Sequence, residues 1–81
     1  MHILFVGGLQ HGNAMHIEDD VKLLELEDPR LKAGRQVYER FQWQQVDAAH
    51  GFDALFINSF VMESEREAKI LDALEEARKQ A

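Results

Sequence analysis

The chain has 81 residues, 46% apolar and 30% charged, with 15 acidic against 9 basic side chains and no cysteine. That is one domain, near the lower size at which a single core holds a fold. The missing cysteines exclude disulfides, thiolate-bound zinc or iron–sulfur clusters and thiol chemistry. The net charge of −6 disfavours direct DNA or RNA binding, which needs Lys and Arg against phosphate.

The longest apolar run, residues 3–6, is far too short to span a bilayer, and no basic segment precedes a long apolar stretch. No membrane contact or signal peptide is expected, and the cytoplasm is the expected location. The run breaks at Gly7-Gly8-Leu9-Gln10-His11-Gly12 and resumes as a second alternating run at 14–17. Glycines at 7, 8 and 12 permit positive φ and close backbone approach, so the stretch predicts a β-hairpin with a shaped loop. Pairing about the loop centre sets Leu4 opposite His16, with His2 diagonal to it.

Glu18-Asp19-Asp20 reads as a polar turn. Residues 21–27 read as a third strand, with a short helix as the second reading; Val21 and Leu23 share one strand face and Leu24 and Leu26 the other. Asp28-Pro29-Arg30 ends it, because proline lacks the ladder donor. Residues 31–34 are loop.

Residues 35–46 form the longest strand, with Val37, Phe41 and Trp43 facing the core and Tyr38, Arg40, Gln42 and Gln44 on a wet face. A connection at 47–51 leads to 52–61, apolar on both faces and therefore an interior strand. Ser64 and Glu67 have capping-box spacing. Ile70, Leu74 and Ala77 then recur at helical spacing. Glu65 and Lys69, and Glu75 and Lys79, are i,i+4 pairs. These elements predict an α+β domain over 1–81, with strands and turns through residue 61. Four to five strands make an antiparallel sheet, and a helix over 65–79 packs on one face. Phe52, Leu55, Phe56, Ile57, Phe60 and Val61 exceed what one helix can cover, so a homodimer is expected.

Phe5-Val6-Gly7-Gly8, His11-Gly12, the strand around Met15 and Ile17, Tyr38-Glu39-Arg40 and the helix after Ser64 resemble one group. These are small accessory proteins of tailed phages that open on a Gly-Gly-Pro-x-(Asp/His)-Gly hairpin. The resemblance covers most of the chain and departs at Leu9, where proline is usual. That group has no settled activity, so the resemblance implies phage origin and fold class rather than chemistry.

The candidate sites each have a plain structural reading. His2, His11, His16 and His50 invite metal, but two imidazoles with Glu18 make no convincing ligand set, so neither metal nor cofactor is expected. The glycine loop lacks the Lys and the following helix of a phosphate loop. Tyr38 and Arg40 offer a polar sheet face able to hydrogen-bond a partner. Glu18, Asp19 and Asp20, with Glu25, Glu27 and Asp28, are solvated turns or an acidic docking surface, and no nucleophile accompanies them.

The leading expectation is a non-enzymatic, phage-encoded protein that binds and modulates a host macromolecule, a host protein, as inhibitor or counter-defence factor. The alternative is a small-ligand or nucleotide-sequestering protein using the glycine loop and the Tyr38/Arg40 face. An enzyme with His11 as general base ranks last. The candidate binding residues are Gly8, His11, Gly12, Tyr38, Arg40, Asp19 and Asp20.

Overall fold

The computed structural model describes residues 1–27, 34–41 and 51–80. The expected 28–33 turn and loop, the strand continuation over 42–46 with Trp43, and the 47–50 connection with His50 lie outside the described residues. Five strands, β1 (His2–Val6), β2 (Ala14–His16), β3 (Leu23–Glu27), β4 (Arg35–Phe41) and β5 (Ala54–Asn58), form one sheet in the order β2-β1-β5-β4-β3. Helix α1 (Arg66–Lys79) follows. The fold is α+β, as the sequence predicts.

The sheet is mixed rather than antiparallel throughout. β1 and β5 run parallel, with Leu4 beside Leu55 and Val6 beside Ile57, while every other neighbouring pair is antiparallel. All five residues of β5 are buried, and the strand lies between β1 and β4. Pairing the two most apolar strands in the middle covers both on both faces, the environment parallel strands require.

One face carries Leu4, Val6, Leu55 and Ile57, and α1 covers it with Ile70 and Ala73; Phe41, Leu74 and Ala77 pack around them. The other face carries Ile3, Phe5, Tyr38, Ala54 and Phe56. The chain leaving β2 at one edge must reach β3 at the opposite edge. Residues 17–22 make that crossing over the face away from the helix, where Ile17, Val21, Leu24 and Leu26 complete the second core. Arg40 Nη1 pins the crossing by donating to the Asp19 carbonyl at 2.9 Å.

Several expectations change. Tyr38 does not lie on a wet face; it is buried in the second core with its ring edge-on to Phe5 at 4.9 Å. β5 stops at Asn58 instead of running to 61. The Asn58 side-chain oxygen accepts from the Phe60 amide at 2.9 Å, and its carbonyl accepts from Val61. This Asx-type turn closes the strand and leaves Phe60 exposed. Of the side chains on which the homodimer expectation rests, Leu55, Phe56 and Ile57 are buried within one chain, Phe52 and Val61 are partly buried, and Phe60 is exposed.

Ser64 makes no cap. It lies inside a 3-10 turn over Glu63–Glu65 that leads directly into α1, so its backbone lacks the extended conformation a capping side chain needs. Lys79 pairs with Glu76 at 3.6 Å, one residue from the expected Glu75. His16 stands opposite His2, not Leu4, and the two rings stack at 4.4 Å. Among the described residues no helix is long and apolar enough to cross a membrane.

Candidate functional site: a clamped glycine loop

The loop between β1 and β2 follows the C-terminal end of β1, directly beside the end of its parallel neighbour β5. It folds over this end of the sheet and is held from both faces.

From the face opposite the helix, β4 and β5 send up Gln36, Tyr38 and Asn58, all buried. The Tyr38 hydroxyl donates to the Gly7 carbonyl at 2.9 Å and accepts from the Gln10 amide at 3.1 Å. Gln36 Oε1 accepts from the Leu9 amide at 2.8 Å and from Asn58 Nδ2 at 3.0 Å. Buried polar groups demand such partners, and here the loop backbone supplies them. Gly8 passes over this cluster at φ +68°, and a Cβ there would stand 2.6 Å from the Tyr38 hydroxyl and closer still to Gln36 and Asn58. Only glycine fits.

The helix holds the loop from the other side. His11 Nε2 lies 2.7 Å from Asp72 Oδ2, and the Gly7 amide donates to His11 Nδ1 at 2.7 Å. An amide can only donate, so Nδ1 is the acceptor and the ring proton sits on Nε2, directed at Asp72. Both ring nitrogens are committed. A Cβ on Gly12 would approach Glu76 Cβ to 2.7 Å, so the helix packs against the loop at that point.

The arrangement limits what the loop can do chemically. A phosphate cradle needs free amides, yet those of Gly7, Leu9, Gln10, His11, Gly12 and Asn13 all donate within the chain. A general base needs a lone pair facing substrate, and the His11 lone pair faces Gly7. The loop is a rigid cap.

Of the sequence-derived candidates, the fold brings together Gly8, His11, Gly12 and Tyr38. Arg40 lies two residues further along β4, opposite Phe56, with its guanidinium on the 17–22 crossing. Asp19 is there too, its carboxylate 2.9 Å from the Met1 ammonium, which holds its carboxyl below the usual aspartate range of 3.8. Its first cause is that hydrogen bond, followed by the charge attraction itself. Asp20 is exposed in the adjoining turn. Among the described residues no group of three or more His, Cys, Asp or Glu side chains could hold a metal ion.

Sequence reasoning missed Met62, and named Phe60 only for a homodimer contact; they are 64% and 77% exposed. They sit in the turn that leaves β5, beside the glycine loop, since Asn58 joins the Phe60 amide to the Gln36 oxygen that also holds Leu9. The Asn58-Ser59 pair, a turn signal inside an apolar run, is the sequence cue that could have found them. Comparison with protein-family models, with curated proteins and with solved structures finds no match to this chain.

Proposed function

We propose that this chain is a non-enzymatic binding protein that docks on a partner protein through the loop end of its sheet. The observation that carries the reading is Phe60 and Met62 standing exposed beside a rigid cap, with Leu9 partly exposed next to them. Large apolar anchors on a backbone held by its own hydrogen bonds are what a protein interface uses. Glu63 and Glu65 follow at once, in a chain of net charge −6, so the partner offers an apolar pocket rimmed by Lys and Arg. The hairpin resemblance makes a host protein met by a phage-encoded factor the natural partner class, with action in the host cytoplasm. The internal hydrogen bonds of the Gly7, Leu9, Gln10, His11, Gly12 and Asn13 amides favour this reading over ligand capture or catalysis there.

The test is capture from bacterial lysate with the wild-type chain and with a Phe60→Ser/Met62→Ser double variant, followed by reconstitution of the captured protein in pure form. The expected result is an identified partner whose purified affinity falls at least about tenfold in the variant, in line with loss of a buried anchor. Its association should also slow as salt rises. Equal affinity for both forms, or no protein that rebinds when purified, overturns the proposal.

A further inference from the structure

We propose that the groove between the first hairpin and the C-terminal half of α1 binds a small monocarboxylate with an apolar body. This goes beyond the docking role and concerns a different surface. The groove encloses about 720 Å³ and is lined by Phe52, Leu74, Ala77 and Ala14, with Gln10 and Asn13 among its polar groups. Small-molecule sites share that size and that mixture of apolar wall and sparse polar groups.

Charge identifies the ligand. The chain carries 15 acidic residues, yet no Asp or Glu lines the groove among the described residues. Its one formally charged side chain among them is Arg78. Among the described residues the Arg78 side chain makes no ion pair or hydrogen bond, whereas Lys79 beside it is tied to Glu76. Arg78 lies in the last turn of α1, where the helix C-terminus favours a cation. Arg78 is one of the residues that line this groove, and a guanidinium fork matches a carboxylate in a bidentate contact.

His2 adds a second polar feature. Its Nδ1 lies 2.8 Å from the Gly51 carbonyl, which can only accept, so Nδ1 carries the proton and Nε2 is left as an acceptor. The ring is braced by His16 at 4.4 Å and Phe52 at 4.8 Å. An aromatic acid bearing an N–H or O–H donor meets all three features: the apolar wall, the Arg78 cation and the His2 acceptor.

Indole-3-propionate, followed by NMR, is a direct probe, with its primary amide as the neutral control. The expected shifts fall on Phe52, Leu74 and Ala77, and the carboxylate should bind about tenfold more tightly than the amide, the margin of one charge-assisted contact. Arg78→Gln should abolish that preference, leaving the two probes equal. Ala14→Phe, placed on an exposed strand position, should fill the groove and weaken both without unfolding the chain. Equal binding of acid and amide to the wild type, shifts centred elsewhere, or no shift at millimolar probe would overturn the proposal. Loss of the Phe60/Met62 docking function leaves these outcomes unaffected, so the two readings fail separately.

Discussion

The Tyr38 hydroxyl, on the fourth strand, donates to the carbonyl of Gly7, in the loop after the first, across 2.9 Å of buried space. One side chain therefore joins the second core to the cap, because its ring packs on Phe5 while its oxygen holds the loop.

Tyr38→Phe keeps the ring and removes only the oxygen. It leaves the Gly7 carbonyl and the Gln10 amide without their partner, at a cost of about 1–3 kcal/mol. Chemical denaturation should show that loss, and hydrogen exchange should quicken at Gln10 while β3 stays protected. An unchanged midpoint would mean that water replaces the hydroxyl freely.

Two glycines separate backbone strain from collision. Gly51 has φ +76°, and among the described residues a Cβ there would meet nothing within 4 Å, so Gly51→Ala should cost only the left-handed penalty of about 1–2 kcal/mol. Gly8→Ala has the same penalty and also drives a methyl into Gln36, Tyr38 and Asn58. It should cost at least about 1–3 kcal/mol more, the loss of one buried hydrogen bond. Equal melting temperatures for the two variants would show that the cluster yields.

Helix packing ranks two apolar side chains in an order that periodicity does not supply. Ile70 is buried against the sheet, whereas Leu74 is half-buried at the edge of the groove. Ile70→Ala should cost about 2–5 kcal/mol, and Leu74→Ala clearly less, because the cost scales with the cavity left behind. Urea titration of both variants checks the order.

Acid should weaken the 17–22 crossing. The folded Asp19 carboxyl lies below its ordinary 3.8, so it holds its proton less tightly than the unfolded chain does. Its contribution is therefore complete above about 3.8 and is lost as pH falls through the folded value. Asp19→Asn should be the less stable form at neutral pH, and the gap should close in strong acid and shrink in high salt. A gap that persists through acid denaturation would remove the pair from the account.

Much of the architecture was legible locally. An unbroken apolar run gave β1, alternation gave β2 and β3, an apolar stretch on both faces gave β5, and helical spacing gave α1 within a residue of its start. Such patterns are periodic and need no knowledge of distant chain. The glycine loop was legible as a loop for the same reason, though not its role as a cap.

Tertiary structure alone decided the rest. Tyr38 and Gln36 look like solvent-facing residues of an alternating strand. They are buried because the 17–22 crossing covers that face, and their polar atoms are satisfied because the loop after β1 lands on them. Alternation tells which side chains share a face, but not which face meets solvent. The parallel pairing of β1 with β5 likewise depends on contacts between residues some fifty positions apart, which no local periodicity encodes. His11 shows the same limit: in sequence it is a titratable group at a loop tip, and only the arrival of Gly7 and Asp72 on its two nitrogens makes it a strut.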